Sequence, residues 1–343
     1  MIRNSEQTYQ IERLSKKAFH IAYKQLIGDR RCQFYDLSKI QPSQRESKSP
    51  IIQFYSSIDN IGNFLPVLGI QSMLGTVPDT WCVQDKSIDF DFINKNYKFV
   101  IIGGAGLLVR GNGSFERFWT QFSEKCKLPT VIWGVGTDGV KDISPPYRRI
   151  VSEVAKRCDL INVRDELTAE TFNLIDPDIS ACPTVAYLQA VKKVKKLSNK
   201  PLDQATLIHY QPQIHVDSYI KEINELMKKS FTKYRRTTNY QYSFLGLDDA
   251  IYKFYLESGL VVTAMLHGAI TAYGLGIPYV AISKSDKMNA FINKFGNGFQ
   301  VSSAKELRDL FDSNEASKKQ LKPVALDSVL DFGDKVKNWA EEL

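Results

Sequence analysis

Residues 129–139 read PTVIWGVGTDG, a short apolar run that ends in closely spaced glycines. These glycines match the G-x-G-x-x-G spacing of a dinucleotide-binding loop. In that motif a helix begins at the glycines, so that its N–H groups meet a pyrophosphate. Here Pro145 and Pro146 follow, and we expect them to keep the chain extended until Tyr147. The stretch therefore predicts a buried strand followed by a glycine loop, and it argues against a nicotinamide enzyme.

Other short apolar runs flank this segment and alternate with helical stretches. They are IIQFYS at 51–56, KFVIIGG at 98–104 and DLINVR at 159–164. The alternation is typical of βαβ units, and the runs are continuously apolar, as strands covered on both faces are. The rhythm breaks at the basic segment 191–204 and begins again at ATLIHY. We therefore predict an α/β fold of two Rossmann-like domains facing across a cleft: residues 1–195, with an extra N-terminal helix, and residues 204–343.

The composition limits the class of protein. The chain has 343 residues, of which 43% are apolar and 24% are charged, as is typical of a folded globular protein with more than one core. Lysine and arginine outnumber aspartate and glutamate by 45 to 38, which suits an anionic small substrate or membrane surface. No nucleic-acid recognition module is seen. The cysteines are widely spaced and form no C-x-x-C pair, so we expect neither a disulfide framework nor a zinc site. We also assign no other metal and no cofactor.

The N-terminal segment, residues 5–28, has apolar positions near helical spacing with lysines between them. We interpret it as a helix packed on the first domain, with adsorption to a membrane surface as the alternative. The sequence starts with polar residues and contains no apolar stretch long enough to span a membrane. We therefore expect a cytoplasmic protein. Peripheral contact at the inner membrane face and homo-oligomer formation are left open.

Polar residues and glycines collect where the predicted strands end. Open parallel sheets bind ligands at the carboxyl ends of their strands, so we expect these loops to line one interdomain pocket. His267 and Gly268 begin a helix there, and a histidine beside free helix N–H groups suits a phosphate or oxyanion. If the preceding strand ends near Ala264, Met265 and His267 alternate onto the same side. The other candidates are Asn60, Gly62, Asn63, Gly103–Gly106, Gly134–Asp138, Arg164, His209 and Tyr210, each with a purely structural role as its alternative.

Two acidic motifs have structural interpretations. We expect Asp165 to be the N-cap of the helix in DELTAETF, with Thr168 at position N3. Arg164 would then point into the cleft, with a surface salt bridge as its alternative. Asp89 and Asp91 form a D-x-D pair that resembles a metal-binding motif, but the pair lies at the sheet edge opposite the predicted site. We assign no metal to it.

Together these motifs resemble the polysaccharide pyruvyl transferase family. The resemblance rests on NIGNFLP (60–66), GGAGLL (103–108), WGVGTDG (133–139), INVRDELT (161–168), CPTVAYL (182–188), TAMLHGAITAYGLGIPYVAIS (263–283) and DKMNAFINKFG (286–296). It implies a fold of the glycosyltransferase-B type, in agreement with the two predicted domains.

The resemblance also implies an activity. Family members transfer the enolpyruvyl unit of phosphoenolpyruvate to two hydroxyls of a sugar, which forms a cyclic pyruvate ketal and releases phosphate. A sugar or a lipid-linked oligosaccharide of an exopolysaccharide or capsule is the implied acceptor. The chemistry needs an acid for the enol carbon, cations for phosphate and carboxylate, and a base for the sugar hydroxyls.

The resemblance implies His267 as the catalytic acid/base, with Arg164 and Lys287 holding the two anionic groups and Gly268 adding helix N–H donors. With the strand-end positions, this gives His267 and Arg164 as the predicted catalytic residues. The predicted donor-side residues are Lys287, Gly268, His209 and Met265, in the second domain. The predicted acceptor-side residues are Asn60, Asn63, Gly104, Gly106 and Asp138, in the first domain.

Two positions depart from the family pattern. Met265 stands where the pattern resembles Arg-Leu-His-Gly, and Asn63 stands where an aspartate is usual. Two alternatives to the ketal-forming enzyme therefore stay open. One is a glycosyltransferase of the same fold that uses a nucleotide sugar. The other is a catalytically silent scaffold paralogue in polysaccharide assembly.

Overall fold

The structure is a computed structural model. It describes residues 34–108, 113–137, 143–195, 204–208, 218–237, 239, 247–282, 285–296, 298–313, 315–318 and 322–343. The predicted N-terminal helix at 5–28 lies outside these residues, as do Asp138, His209 and Tyr210.

Within the described residues, the first sheet has six strands, all parallel, in the order β2-β1-β3-β4-β5-β6. The strands are β1 (Ile51–Tyr55), β2 (Asp79–Cys82), β3 (Phe99–Leu108), β4 (Thr130–Thr137), β5 (Leu160–Val163) and β6 (Asp178–Ile179). A helix follows each strand in turn: α1 (Ile61–Leu74), α2 (Phe90–Asn96), α3 (Ser114–Lys125), α4 (Pro145–Ala155), α5 (Glu166–Thr171) and α6 (Thr184–Lys195).

The second sheet, over the same described parts of the chain, has five parallel strands in the order β11-β10-β9-β7-β8. These strands are β7 (Gln204–Ile208), β8 (Lys233–Thr237), β9 (Leu260–Thr263), β10 (Tyr279–Ala281) and β11 (Phe299–Gln300). Its helices are α7 (Ser218–Ser230), α8 (Leu247–Ile251), which continues as a π-helical turn (Tyr252–Leu256), α9 (Leu266–Leu275), α10 (Asp286–Lys294), α11 (Ala304–Asp312) and α12 (Glu315–Lys318).

The predicted α/β fold with two Rossmann-like sheets is confirmed. The division at residues 195 and 204 stays a prediction. Helix α6 continues to Lys195, so the first part of the basic segment 191–204 is helical and does not form a linker. No helix among the described residues is both long and apolar enough to cross a membrane.

The predicted glycine loops are wrong, because both glycine stretches lie inside strands. Strand β3 continues through its glycines to Leu108, and β4 continues to Thr137. Gly104 and Ala105 have φ values of 93° and 79°, and the pairing of β3 with β4 shifts register between Ala105 and Leu108. Such an irregularity admits positive φ angles while the ladder continues on either side.

The prediction for the two prolines is also wrong. Helix α4 begins at Pro145 itself, and Ser144 is its N-cap, with its hydroxyl accepting a hydrogen bond from the N–H of Tyr147 at 3.4 Å. Proline suits the first turn of a helix because its fixed φ is helical and its missing N–H has no partner there in any case. The helix nevertheless begins beyond the glycines rather than at them.

A shared core joins the two sheets. Helices α1 and α6 of the first sheet pack with α9 of the second in one apolar cluster. The last helix, α13 (Asp327–Glu341), returns to the first sheet, where Phe332 meets Trp133 with ring centroids 5.3 Å apart. Its Lys335 forms an ion pair with Asp178 at 2.6 Å. The helices beside both sheets and the last helix therefore share one apolar core.

Candidate functional site

His267 lies in the first turn of α9, directly after β9. The connection is short because Thr263 closes it: the Thr263 hydroxyl donates to the carbonyl of Met265 and accepts from the Met265 N–H, both at 3.0 Å. A Cβ atom on Gly268 would lie 2.2 Å from the Thr263 hydroxyl oxygen, so only glycine allows this turn. The turn places His267 at the carboxyl end of β9, where parallel sheets bind ligands.

The first turn of α1 meets His267 from the other sheet. Asn60 is the N-cap of α1, and its side-chain oxygen accepts from the N–H of Gly62 at 2.8 Å. A Cβ atom on Gly62 would stand 2.4 Å from Cγ and Nδ1 of His267. The imidazole therefore lies directly on the backbone of α1. This contact brings the NIGN and LHG motifs together.

Arg164 approaches the same region from the end of β5. Only 6% of the residue is exposed, and its guanidinium lies over Gly136 of β4, where a Cβ atom would be 2.0 Å from Nη2. Its Nε and Nη1 atoms are buried and have no hydrogen-bonding partner in the described part of the chain. Because Arg164 is buried, the alternative of a surface salt bridge is excluded.

The neighbouring carboxylate does not neutralise this arginine. As predicted, Asp165 is the N-cap of α5: its Oδ1 accepts from the N–H of Thr168 at 2.8 Å and from the Thr168 hydroxyl at 2.6 Å. The Thr168 hydroxyl in turn accepts from the N–H of Thr137. The Asp165 side chain thus caps α5 and forms no ion pair with Arg164 among the described residues.

Lys287 completes the group from the first turn of α10. An ion pair between Lys294 of α10 and Glu166 of α5 links the helices next to Lys287 and Arg164. Burial first, and then the charges of Arg164 and Lys287, lower the pKa of His267 well below its ordinary value of 6.5. Its Nε2 atom is buried and finds no partner among the described residues. His267 is therefore a neutral ring held beside two cations.

This arrangement is suited to bind an anion. A buried guanidinium with unused donors is costly unless a counter-charge occupies the site, and a planar oxyanion can accept two hydrogen bonds from it. A ligand with two anionic groups could engage Arg164 and Lys287 together. His267 Nε2 would then be the group next to the ligand that can carry a proton.

Two other predicted donor-side residues, Met265 and Gly268, have structural roles. Met265 is only 8% exposed and packs in the apolar cluster, while His267 is half-buried. The expected alternation of these two side chains is wrong, because the helix begins at Leu266. The Gly268 N–H already donates to the carbonyl of Met265 at 2.9 Å, so the contribution of Gly268 is its lack of a side chain.

Three of the predicted acceptor-side residues, Asn63, Gly104 and Gly106, lie in α1 and β3. Asn63 lies within α1, and its Nδ2 donates to the Ser57 hydroxyl at 3.2 Å. Gly104 packs against α1, where a Cβ atom would lie 3.1 Å from Val67, whereas Gly106 is half-buried in β3. Acceptor roles for these residues stay predictions.

The D-x-D pair has a structural role. Asp89 is the N-cap of α2, accepting from the N–H of Phe92 at 2.9 Å. The residues that the structure describes contain no group of three or more His, Cys, Asp or Glu side chains placed to hold a metal.

Sequence reasoning missed one neighbour of the site, Asn239. It belongs to no motif, because its position depends on how the two halves of the chain pack.

Comparisons with known proteins agree with this architecture. The model of the polysaccharide pyruvyl transferase family matches residues 74–286, which include Arg164 and His267. No curated protein sequence matches the chain significantly. Similar solved structures include the UDP-GlcNAc 2-epimerase of Methanocaldococcus jannaschii, with a TM-score of 0.50 and 10% identity over 85% of this chain and 99% of that one. A putative UDP-N-acetylglucosamine 2-epimerase of Listeria monocytogenes has a TM-score of 0.51 and 12% identity, over 85% of this chain and 97% of that one. At these identities the likeness shows the fold alone, and it confirms the glycosyltransferase-B-like architecture.

Proposed function

The chain belongs to the polysaccharide pyruvyl transferase family, and we propose that it transfers a pyruvate ketal from phosphoenolpyruvate to a sugar of a surface polysaccharide or its precursor. In the reaction, the methylene carbon of the donor gains a proton and becomes a methyl group. Two sugar hydroxyl oxygens form bonds to the central carbon and lose their protons, and the bond from that carbon to the phosphate oxygen breaks. One hydrogen phosphate ion leaves for each ketal formed.

The observation that carries this proposal is the buried guanidinium of Arg164, whose Nε and Nη1 have no hydrogen-bonding partner among the described residues, beside a neutral His267. Phosphoenolpyruvate has a phosphate and a carboxylate on adjacent oxygen and carbon atoms, so two nearby cations can hold both groups. Arg164 offers two donors with no partner among the described residues, and Lys287 supplies a second positive charge. The donor would thereby be oriented before the proton moves.

His267 is the proton donor in this scheme. The bound anions would raise the pKa of His267 from its low value in the empty site, so the ring can take up a proton as the donor binds. Nε2 is the atom without a partner in the described structure, and it would deliver this proton to the methylene carbon. The neutral ring left behind can then accept a proton from a sugar hydroxyl.

A glycosyltransferase that uses a nucleotide sugar is the second candidate. It is favoured by Met265, which replaces the arginine of the family pattern, and the M. jannaschii structure is a complex with UDP-GlcNAc and UDP. Against it, the buried Arg164 gives the site a guanidinium without position 265. This candidate predicts tight binding of a nucleotide and no consumption of phosphoenolpyruvate.

Ligand binding distinguishes the ketal-forming transferase, the glycosyltransferase and the silent scaffold from one another. Thermal-shift measurements with phosphoenolpyruvate, UDP, GDP and CMP, each compared with an Arg164→Gln variant, report which anion the cluster binds. The proposal predicts stabilisation by phosphoenolpyruvate that the variant loses. Stabilisation by a nucleotide alone would favour the glycosyltransferase, and no stabilisation by any of the four would favour the scaffold.

A further inference from the structure

Asn239 joins the two halves of the site. It follows β8 of the second sheet, and its backbone carbonyl accepts a hydrogen bond from the N–H of Ile61, the first residue of α1, at 3.0 Å. Its side-chain Oδ1 accepts from the hydroxyl of Tyr255 at 3.1 Å. Only 3% of Asn239 is exposed. One buried residue therefore contacts both the helix that carries Gly62 and the interior of the second sheet's domain.

Tyr255 continues this connection to His267. It lies in the π-helical turn after α8, is 2% exposed, and its hydroxyl also contacts the Thr271 side chain. The Thr271 hydroxyl donates to the backbone carbonyl of His267 at 2.6 Å. Interruptions of helical geometry such as this π-helical turn are frequent at functional sites.

We propose that Asn239 is a positioning residue that fixes the imidazole of His267 between α1 and α9. The side chain of Asn239 is anchored by Tyr255, beside the backbone of α9, and its carbonyl holds the first turn of α1. Gly62 in that turn is the surface on which the ring lies. The assignment rests on the proposed function in so far as it takes His267 as the proton donor.

The hydrogen bonding of Asn239 distinguishes this role from a purely stabilising one. Its Nδ2 is buried and has no partner within the described residues. An unsatisfied buried donor lowers stability, so an apolar side chain of the same size would serve a purely structural role better. Removing both polar partners together should therefore cost the fold little while it releases His267.

The test is the double variant Asn239→Leu/Tyr255→Phe, with Asn224→Leu/Tyr234→Phe as the matched control. The side chain of Asn224 accepts a hydrogen bond from the Tyr234 hydroxyl at 2.7 Å, so this pair has the same two residue types and the same bond. Tyr234 packs against a separate core cluster. Three quantities are measured for each protein: the thermal midpoint, kcat and KM with phosphoenolpyruvate, and the titration of the His267 ring by NMR without ligand. The ring signal is assigned with a His267→Gln variant.

We expect the Asn239/Tyr255 variant to fold and to lose about 10- to 100-fold in kcat, with KM little changed, because the proton donor is misplaced. The pKa of His267 should rise toward its ordinary 6.5 as the ring leaves its fixed place beside Arg164 and Lys287. The control variant should change neither kcat nor the pKa of His267. An unchanged His267 titration would overturn the inference, even if the protein consumes no phosphoenolpyruvate. Absence of turnover in the native protein would instead overturn the proposed function, and the NMR result would still decide the role of Asn239.

Discussion

The ring of His267 and the backbone of Gly62 are in direct contact, although the two residues belong to different sheets. The contact is so close that a methyl group on Gly62 would stand 2.4 Å from Cγ and Nδ1 of the ring. Atoms at that distance overlap, so one of the two elements would have to move. The position of His267 therefore depends on a residue without a side chain in the opposite half of the molecule.

We expect Gly62→Ala to lower turnover by about 100-fold, because displacement of a reacting group by about 1 Å is enough for such a loss. Alanine favours the helix more than glycine does, so the loss should not follow from weaker α1. Steady-state kinetics and the thermal midpoint together test this, with Ser72→Ala on the exposed side of α1 as the control. Native turnover by Gly62→Ala would show that the contact does not position the ring.

Arg164→Gln should weaken phosphoenolpyruvate binding by about 10- to 100-fold, the value of a charge-assisted hydrogen bond. The variant should fold at least as well as the native protein, because it removes a buried charge that has no counter-charge among the described residues. Arg164→Lys keeps the charge but not the planar pair of donors, and we expect it to recover only part of the affinity. Calorimetric titration of the three proteins gives the comparison; equal affinities would remove Arg164 from the donor site.

Donor binding should be accompanied by proton uptake. Burial, Arg164 and Lys287 lower the pKa of His267 in the empty site, so the ring is neutral at pH 7. A bound polyanion opposes these effects and raises the pKa, so binding is expected to weaken as the pH rises. Calorimetry in two buffers of different ionisation enthalpy measures the protons taken up. His267→Gln should reduce that number, and identical values for variant and native protein would contradict the account.

The lowered pKa of His267 also makes the stability of the ligand-free protein depend on pH. His267 binds a proton in the unfolded chain below pH 6.5 but resists it in the folded protein, so its contribution to stability is present above pH 6.5. That contribution is lost as the pH falls from 6.5 toward the lower pKa of the folded state. Unfolding curves recorded over this interval should therefore depend less on pH in His267→Gln.

Met265→Arg should destabilise the protein and not simply restore the family pattern. Met265 is 8% exposed in the apolar core, and an unpaired charge there costs about 3–5 kcal/mol. Met265→Leu, which keeps size and polarity, should cost less than about 1.5 kcal/mol. Chemical denaturation of both variants makes the measurement. An arginine variant as stable as the native protein would show that its side chain reaches the cleft.

The sequence predicts the fold well because its signals are local. Continuously apolar runs indicate buried parallel strands, and the Asp165 cap is visible from Asp165 and Thr168 alone. The glycine strands are missed because glycine signals a turn, whereas here Gly104 accepts a positive φ inside β3, next to its register shift, and Gly136 leaves space for Arg164.

The geometry of the site is less accessible to sequence. The contact of Gly62 with His267, and the bond from Ile61 to Asn239, join segments far apart in the chain. The burial of Arg164 depends on which strand lies beside β5. None of these relations leaves a periodic pattern, so only the packing of the two sheets reveals them.

Ketal formation is tested by phosphorus and proton NMR of the native protein with phosphoenolpyruvate and a panel of sugar acceptors in D₂O. We expect one phosphate to be released for each ketal formed and a ketal methyl group that carries one deuteron, because the proton delivered by His267 comes from solvent. His267→Gln should form neither product. Phosphate release without a ketal, or sugar transfer from a nucleotide sugar while phosphoenolpyruvate stays intact, would contradict the proposed function.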